Sequence, residues 1–134
     1  MSAATTGVEI SHFARDIIKL SEFYATLFNV PYIESVATPI YRALDVKGTR
    51  LAFHDFQAYA LLELTSRVSQ APVKPVGTYV TFNVAGKPEL EACMHHAVQL
   101  GATVLKQPYV SYYNAYQVVL ADPEDNVFRL NHQM

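Results

Sequence analysis

Two segments of this chain match each other at a separation of about seventy residues. The first is Val8–Asp16 followed by a helical stretch over Ile17–Phe28, and the second is Thr78–Val84 followed by one over Pro88–Leu100. In each, a strand pattern leads into apolar residues at helical spacing. The matched positions include Glu9 with Tyr79, Asp16 with Gly86, Leu20 with Leu90 and Leu27 with Ala97. Two copies of one unit in a chain of 134 residues predict a duplicated βαβββ fold.

The predicted organisation is a single domain over residues 1–134, because this length falls in the usual single-domain range. Module one spans about 7–65, a polar linker about 66–76, and module two about 77–134. The fold class is α+β, with two βαβββ modules forming a mixed sheet that lines a cavity and helices on its outer face. In such a fold the space between the copies is a ready-made site for a small molecule.

The remaining elements follow from alternating apolar residues and turn residues. Lys47-Gly48 between two strand patterns predicts a tight hairpin, because glycine supplies the positive φ that the turn needs. Gln57–Leu64 is compatible with a short helix or a further strand. Asn126 is predicted to take the left-handed position of a turn over 122–126. The predicted strands are Tyr32–Val36, Tyr41–Val46, Thr49–His54, Thr103–Leu105, Gln117–Ala121 and Val127–Asn131, with a tyrosine-rich loop over Tyr109–Tyr116.

Composition argues against several classes of function. The net charge of −2 and the lack of any Lys/Arg cluster argue against a nucleic-acid partner, and no apolar run approaches the length of a membrane span. The single cysteine, Cys93, cannot form an intrachain disulfide and fits a reducing compartment. Met1–Gly7 lacks the basic and apolar regions of a signal peptide. We therefore expect a cytoplasmic protein in which Cys93 is a small buried apolar residue.

Three stretches carry a resemblance to a known family: Asp16 through Phe23-Tyr24 to Leu27, Gly101–Val104, and Asp122–Leu130. In this order and spacing the chain resembles the vicinal oxygen chelate superfamily, which includes glyoxalase I, the bleomycin-resistance proteins and the extradiol dioxygenases. Asp125 stands where the family's Asp-Pro turn usually has glycine. The resemblance implies a duplicated fold, a homodimer and a small organic ligand, but no particular activity, because one fold hosts many functions.

Metal-using members of that family place His, Gln or Glu ligands on four strands. Alignment puts Glu9, Tyr79 and Arg129 at three of these positions. The fourth is Ala52 if the hairpin is tight, or Glu63 if 60–64 is instead the strand. A guanidinium cannot ligate a divalent ion, and tyrosine is a poor ligand near neutral pH. We therefore expect no family-type metal and no cofactor.

Strand alternation predicts which residues face the cavity. That set mixes aromatic side chains with hydrogen-bonding groups, which is typical of a binding pocket. The members we select as ligand-binding candidates are Glu9, Phe13, Tyr41, His54, Tyr79, Asn83 and Arg129.

Several of these residues have more than one interpretation. Glu9 and Arg129 either contact the ligand or form an ion pair that replaces the metal. His54 is a candidate general base, or it ends a strand at the solvent edge. The four tyrosines of the loop form either a lid that stacks on a flat ligand or a dimer interface; they are Tyr109, Tyr112, Tyr113 and Tyr116.

Three functions are compatible with these residues. The first is a metal-free binding protein for an aromatic or amphipathic compound, and the second is a metal-dependent lyase, isomerase or dioxygenase. The third is a metal-free enzyme in which Arg129 stabilises an oxyanion while Glu9, His54 or Tyr79 moves a proton. The sequence favours the first, because the family metal ligands are largely missing, and it assigns no catalytic residue.

Overall fold

The computed structural model describes residues 3–68 and 74–134. The chain divides into two compact units, Met1–Val68 and Ser69–Met134. Part of the predicted linker, residues 69–73, lies outside the described residues. The module bounds and the single domain over 1–134 therefore stay predictions.

The first unit is built around a three-stranded sheet. Its elements are strand β1 (Glu9–Ala14), helix α1 (Ile17–Phe28), strands β2 (Tyr41–Val46) and β3 (Thr49–Asp55), and helix α2 (Ala58–Leu61), with 3-10 turns at Glu34–Val36 and Thr65–Arg67. The strand order is β1-β3-β2, with β1 parallel and β2 antiparallel to β3. Parallel strands need a crossover connection, and the chain between β1 and its parallel neighbour β3 contains helix α1.

The second unit repeats this plan with a four-stranded sheet. Its elements are strand β4 (Val80–Asn83), helix α3 (Lys87–Gln99), and strands β5 (Thr103–Val110), β6 (Ala115–Ala121) and β7 (Val127–Gln133). The strand order is β4-β7-β6-β5, with β4 parallel to β7 and the other pairs antiparallel. The predicted α+β class and duplicated βαβββ plan are confirmed.

In the first unit, the segment that follows α1 and corresponds to β5 forms a single bridge instead of a strand. The predicted strand Tyr32–Val36 is wrong beyond its start: Tyr32 makes an isolated bridge to Leu44, and Ile33 N donates to Ala43 O at 2.9 Å. The chain then turns through Glu34–Val36. Glu34 and Ser35 have little preference for strands, so the pairing ends after one bridge.

The structure decides between the two readings of residues 57–64. Lys47 and Gly48 form the tight turn, with φ of 52° and 91°, and Ala52 lies in the strand that follows. The alternative strand over 60–64 is wrong, because Ala58–Leu61 is helical and Glu63 follows it with φ of 56°. Alanine and leucine favour the helix there.

Two predictions for the second unit also need correction. Strand β5 extends to Val110, so the tyrosine-rich loop shrinks to 111–114, and Tyr109 and Tyr116 belong to strands. Pro108 lies inside β5, which an edge strand tolerates because one side of its backbone is unpaired. The left-handed residue of the final turn is Asp125, with φ of 67°, and not Asn126. Asn126 instead donates its side-chain amide to both carboxylate oxygens of Asp122 at 3.1 and 3.0 Å.

Helices α1 and α3 each pack their apolar stripe on one face of their own sheet. In the first unit Leu20 and Tyr24 are buried, and the Tyr24 ring lies 5.8 Å from that of Phe53. In the second unit Leu90 is buried with Phe128. Helices α1 and α3 therefore cover one face of each sheet, and the alternate side chains point away from these two helices. No helix among the described residues is long and apolar enough to cross a membrane.

Cys93 is half-buried on α3, and burial raises the pKa of its thiol to about 11. The thiolate is the reactive form, so little of the reactive species is present at neutral pH. We expect a thiol-specific disulfide reagent to modify the native protein at least about tenfold more slowly than the denaturant-unfolded protein. Absorbance of the released reagent thiol measures both rates, and equal rates would contradict the assignment.

Candidate functional site

The face of the second sheet that α3 leaves uncovered is polar at its centre. Arg129 of β7 pairs in register with Thr81 of β4. Its Nε donates to Thr81 Oγ1 at 3.2 Å, and its Nη1 donates to Tyr113 Oη at 3.2 Å and to Gln117 Oε1 at 3.5 Å. No carboxylate among the described residues of this unit lies within ion-pair distance of Arg129. Neutral groups therefore position its charge without neutralising it.

Gln117 is the buried centre of this group, with only 1% of its surface exposed. Its Oε1 accepts from Tyr109 Oη at 2.8 Å as well as from Arg129. Its Nε2 donates to Asn131 Oδ1 at 2.8 Å and to Tyr113 Oη. A buried amide is costly unless its groups are hydrogen-bonded, and here every polar atom of the side chain has partners. The arrangement fixes the side chains around Gln117 relative to one another.

Tyr113 is held over this centre by a short turn. Asn114 takes a left-handed conformation with φ of 64°, and its N–H donates to Ser111 O at 3.0 Å. The Tyr113 phenol accepts hydrogen bonds from both Gln117 and Arg129. The hydrogen bond from Gln117 and, after it, the positive charge of Arg129 lower the pKa of Tyr113 below its ordinary value.

A cavity of about 400 Å³ opens beside these residues. Its lining is cationic and aromatic, and none of the described lining residues is acidic. Lys106 lies with its Nζ 3.7 Å from the centre of the Tyr109 ring. The lining residues are Lys106, Tyr109, Val110, Ser111, Tyr112, Tyr113, Gln117 and Arg129.

Two further candidates, Tyr79 and Asn83, extend this group. The guanidinium carbon of Arg129 lies 5.3 Å from the centre of the half-exposed Tyr79 ring, within the range of a cation–π contact. Asn83 accepts from Asn131 Nδ2 at 3.0 Å, which links it to Gln117. The structure thus brings Tyr79, Asn83 and Arg129 together through one hydrogen-bonded and aromatic network.

The four tyrosines that we considered as a lid or an interface do not act as one group. Tyr109, Tyr112 and Tyr113 line the cavity, and Tyr112 is 99% exposed. Tyr116 points to the helix side of the sheet, where its hydroxyl donates to Glu91 Oε1 at 2.7 Å. Strand alternation separates Tyr116 from the others, because it neighbours Gln117 in β6.

In the first unit, Phe13, Tyr41 and His54 come together on the sheet face opposite α1. The His54 ring centre lies 4.9 Å from that of Tyr41 and 5.8 Å from that of Phe13. Phe13 also stacks on Tyr59 at 3.8 Å, a contact that the sequence did not indicate. Burial lowers the pKa of His54, so the neutral imidazole is favoured in this aromatic group.

Glu9 lies apart from this aromatic group, toward the start of β1. Its carboxylate forms an ion pair with Arg50 Nη1 at 3.6 Å, and Arg50 is its register partner on β3. A side-chain hydrogen bond with Tyr41 raises the pKa of Arg50. Glu9 therefore has a cationic partner in its own unit, and its proposed pairing with Arg129 stays a prediction.

The residues at the family's metal positions do not fit a divalent cation. Ala52 offers no donor atom, Arg129 is a cation, and Glu9 is already paired with Arg50. Within residues 3–68 and 74–134 no group of three His, Cys, Asp or Glu side chains is placed to hold a metal ion. Divalent ions in proteins need several imidazole, thiolate or carboxylate ligands. The donor set thus argues against a metal of the family type.

Sequence reasoning missed the centre of the site. The sequence gives Gln117 only as the start of a strand, and Tyr113 as one of four tyrosines that form either a lid or an interface. One signal was present: a lone amide in the otherwise apolar run of β6, on the same face as Val119. The role of this amide depends on Tyr109 and Arg129, which lie beside it on the adjacent strands β5 and β7. Alternation within one strand cannot show which residues of other strands are its neighbours.

Comparisons with known proteins agree with this architecture. The model of the glyoxalase-like domain family matches residues 8–131. A glyoxalase/bleomycin resistance protein/dioxygenase family enzyme from Burkholderia phytofirmans PsJN is 36% identical, with a TM-score of 0.88 over 94% of this chain and 97% of that one. A lactoylglutathione lyase from Agrobacterium tumefaciens is 18% identical, with a TM-score of 0.68 over 97% of this chain and 96% of that one.

A fosfomycin resistance protein from Mesorhizobium loti is 10% identical, with a TM-score of 0.70 over 98% of this chain and 95% of that one. At these low identities, the similarities to the lyase and to the resistance protein show the fold alone. No curated protein matches the sequence.

Replacing Gln117 tests whether it organises the site. Gln117→Leu leaves the hydroxyl of Tyr109 and the amide of Asn131 without their buried partner. We expect the free energy of unfolding to fall by about 1–3 kcal/mol, the usual cost of unsatisfied buried polar groups. Urea unfolding measures it, and Gln107→Leu is the matched control because Gln107 is an exposed glutamine on β5. An equal effect of both substitutions would contradict the role given to Gln117.

Proposed function

The chain belongs to the glyoxalase-like domain family, and on that premise we propose that it binds a small aromatic organic anion on the polar face of the second unit, without a divalent metal. The observation that carries the proposal is the guanidinium of Arg129. It is held by Thr81, Gln117 and Tyr113, but no carboxylate of its unit's described residues neutralises it. A partly buried cation held in this way is suited to bind an anion.

The charge of the cavity supports an anionic ligand. Lys106 and Arg129 both line it, and its described lining includes no acid. Two cations near one cavity repel each other unless a counter-charge is present, and a bound anion provides that counter-charge. A cationic compound would instead be repelled by Lys106 and Arg129.

The aromatic side chains support a ligand with a ring. Tyr109 and Tyr113 line the cavity, and Tyr79 exposes half of its surface beside Arg129. Aromatic rings offer a large apolar contact area and stack on flat ligands. The volume of about 400 Å³ falls in the range of small-molecule sites. The proposal thus adds a negative charge to the aromatic or amphipathic ligand that the sequence suggested.

Binding of simple probes tests this proposal. Benzoate, neutral benzamide and cationic benzylammonium share a ring and differ in charge. We expect benzoate to bind most tightly, and Arg129→Met to weaken its binding at least about tenfold, because a hydrogen bond to a charged group contributes about 1.5–3 kcal/mol. Calorimetry or ligand-observed NMR measures the affinities.

Arg50→Met is the matched control, since Arg50 is also a half-buried arginine on a sheet but is paired with Glu9. We expect it to leave benzoate binding unchanged. Tyr41→Leu reports separately whether the aromatic group of the first unit contributes. Equal binding of the three probes, or benzoate binding that survives Arg129→Met, would contradict the proposal.

The metal-free part of the proposal has its own measurement. We expect protein purified without chelator or affinity tag to contain far less than stoichiometric metal, and nickel, zinc, manganese and iron(II) not to raise its melting temperature, because the aligned positions supply too few ligands. Elemental analysis and thermal melts measure both. Stoichiometric metal with a stabilisation that is lost on Glu9→Ala would instead support the metal-dependent alternative.

A further inference from the structure

We propose that Tyr113 and Arg129 together form an oxyanion site, which binds the ionised oxygen of an aromatic hydroxy compound, either a phenolate or an enolate. This inference rests on the proposed function and adds the kind of anion that the cavity takes. The negative charge would be concentrated on a single oxygen, to which the phenol of Tyr113 and the guanidinium of Arg129 both donate.

The first support is the hydrogen bonding of Tyr113. Its phenolic oxygen accepts from Gln117 Nε2 and from Arg129 Nη1. In these contacts the oxygen acts as the acceptor, so the phenol's own proton remains available to a further acceptor. Tyr113 and Arg129 line the same cavity, and a ligand oxygen in that cavity is such an acceptor.

The second support is that the Nε side of the Arg129 guanidinium already has a hydrogen-bond partner. A carboxylate usually binds arginine through two parallel N–H groups. The Nε of Arg129 already donates to Thr81 Oγ1 at 3.2 Å, so the edge formed by Nε and its neighbouring terminal nitrogen is not free. The two N–H groups of Nη1 donate to Tyr113 Oη at 3.2 Å and to Gln117 Oε1 at 3.5 Å, so Nη2 is the guanidinium nitrogen left to donate to a ligand oxygen beside Tyr113. This geometry suits a single oxyanion better than a side-on carboxylate.

The third support is the electrostatic environment of Tyr113. The charged groups that line its cavity are Arg129 of β7 and Lys106 of β5, both cationic. The remaining titratable neighbours are the phenols of Tyr109 and of Tyr112, whose ring centre lies 5.0 Å from that of Tyr113. Hydrogen bonds from Gln117, Arg129 and Ser111 and the charge of Arg129 lower the pKa of Tyr113. A more acidic phenol is a stronger donor to an oxyanion.

Such a site has a chemical consequence. Donors that are already in place favour the ionised form of a bound hydroxy compound, and they stabilise an enolate as it forms beside a carbonyl group. A site of this kind stabilises the anion through the chain's own O–H and N–H donors without a metal, in agreement with the poor metal-ligand set of the described residues. In this scheme Tyr113 joins Arg129 as a donor to the ligand oxygen.

The test uses 4-nitrophenol, because its neutral and ionised forms absorb at different wavelengths. We expect the protein to bind the ionised form at least about tenfold more tightly than the neutral form, which lowers the pKa of the bound probe by at least about one unit. Tyr113→Phe should remove most of this preference. Tyr116→Phe is the matched control, since Tyr116 lies on the helix side of the same sheet and does not line the cavity.

A second measurement uses the protein without any substitution. The ultraviolet absorbance of ionised tyrosine should show one tyrosine of the ligand-free protein ionising earlier than the others, and bound 4-nitrophenolate should shift that ionisation upward, because two neighbouring anions repel. Circular dichroism of Tyr113→Phe checks that the variant folds.

The outcomes separate the two proposals. Benzoate binding that depends on Arg129, with no preference for ionised 4-nitrophenol, overturns the oxyanion site and leaves the proposed function standing. A preference for the ionised probe that persists in Tyr113→Phe also overturns the oxyanion site. If neither benzoate nor 4-nitrophenolate binds, the proposed function itself is overturned.

Discussion

The buried amide of Gln117 is the interaction on which the candidate site depends. It joins Tyr109 of β5, Tyr113 of the following turn, and Arg129 and Asn131 of β7. Because the amide is buried, losing a partner would leave one of its polar groups without water to replace that partner, which is costly. The network therefore fixes the positions of the cation and the phenols before any ligand arrives. Fixed donors of this kind bind an anion with little reorganisation.

The two units show how one fold can carry different chemistry. Strand pairing gives Ala52 and Arg129 equivalent places, opposite Ser11 in the first unit and Thr81 in the second. Tyr41 and Gln117 correspond in the same way. On the sheet face that α1 leaves uncovered, the first unit is therefore aromatic. The corresponding face of the second unit is polar and cationic. Both faces keep the strand alternation that also builds the apolar cores, so the two faces differ in side chains while the two units share one plan.

Much of the fold was predictable because its signals are local. The bounds of α1 were predicted from apolar spacing and from the Asp16 cap, whose carboxylate accepts from Lys19 N at 3.0 Å. The Lys47-Gly48 hairpin followed from turn chemistry. The errors fell where pairing between distant segments decides the outcome. Tyr32 forms a bridge but no strand, and β5 continues through Pro108 because it lies at a sheet edge.

The sequence by itself determined the duplicated plan and the α+β class, and it selected Arg129 as a candidate ligand-binding residue. These depend on residue type and on periodicity along the chain, which are local properties. Tertiary structure decided which side chains Arg129 meets. It brought Tyr113 and Gln117 to the guanidinium, paired Glu9 with Arg50 and turned Tyr116 to the helix side. Those choices depend on register between strands that are distant in sequence, and no single strand's pattern contains that information.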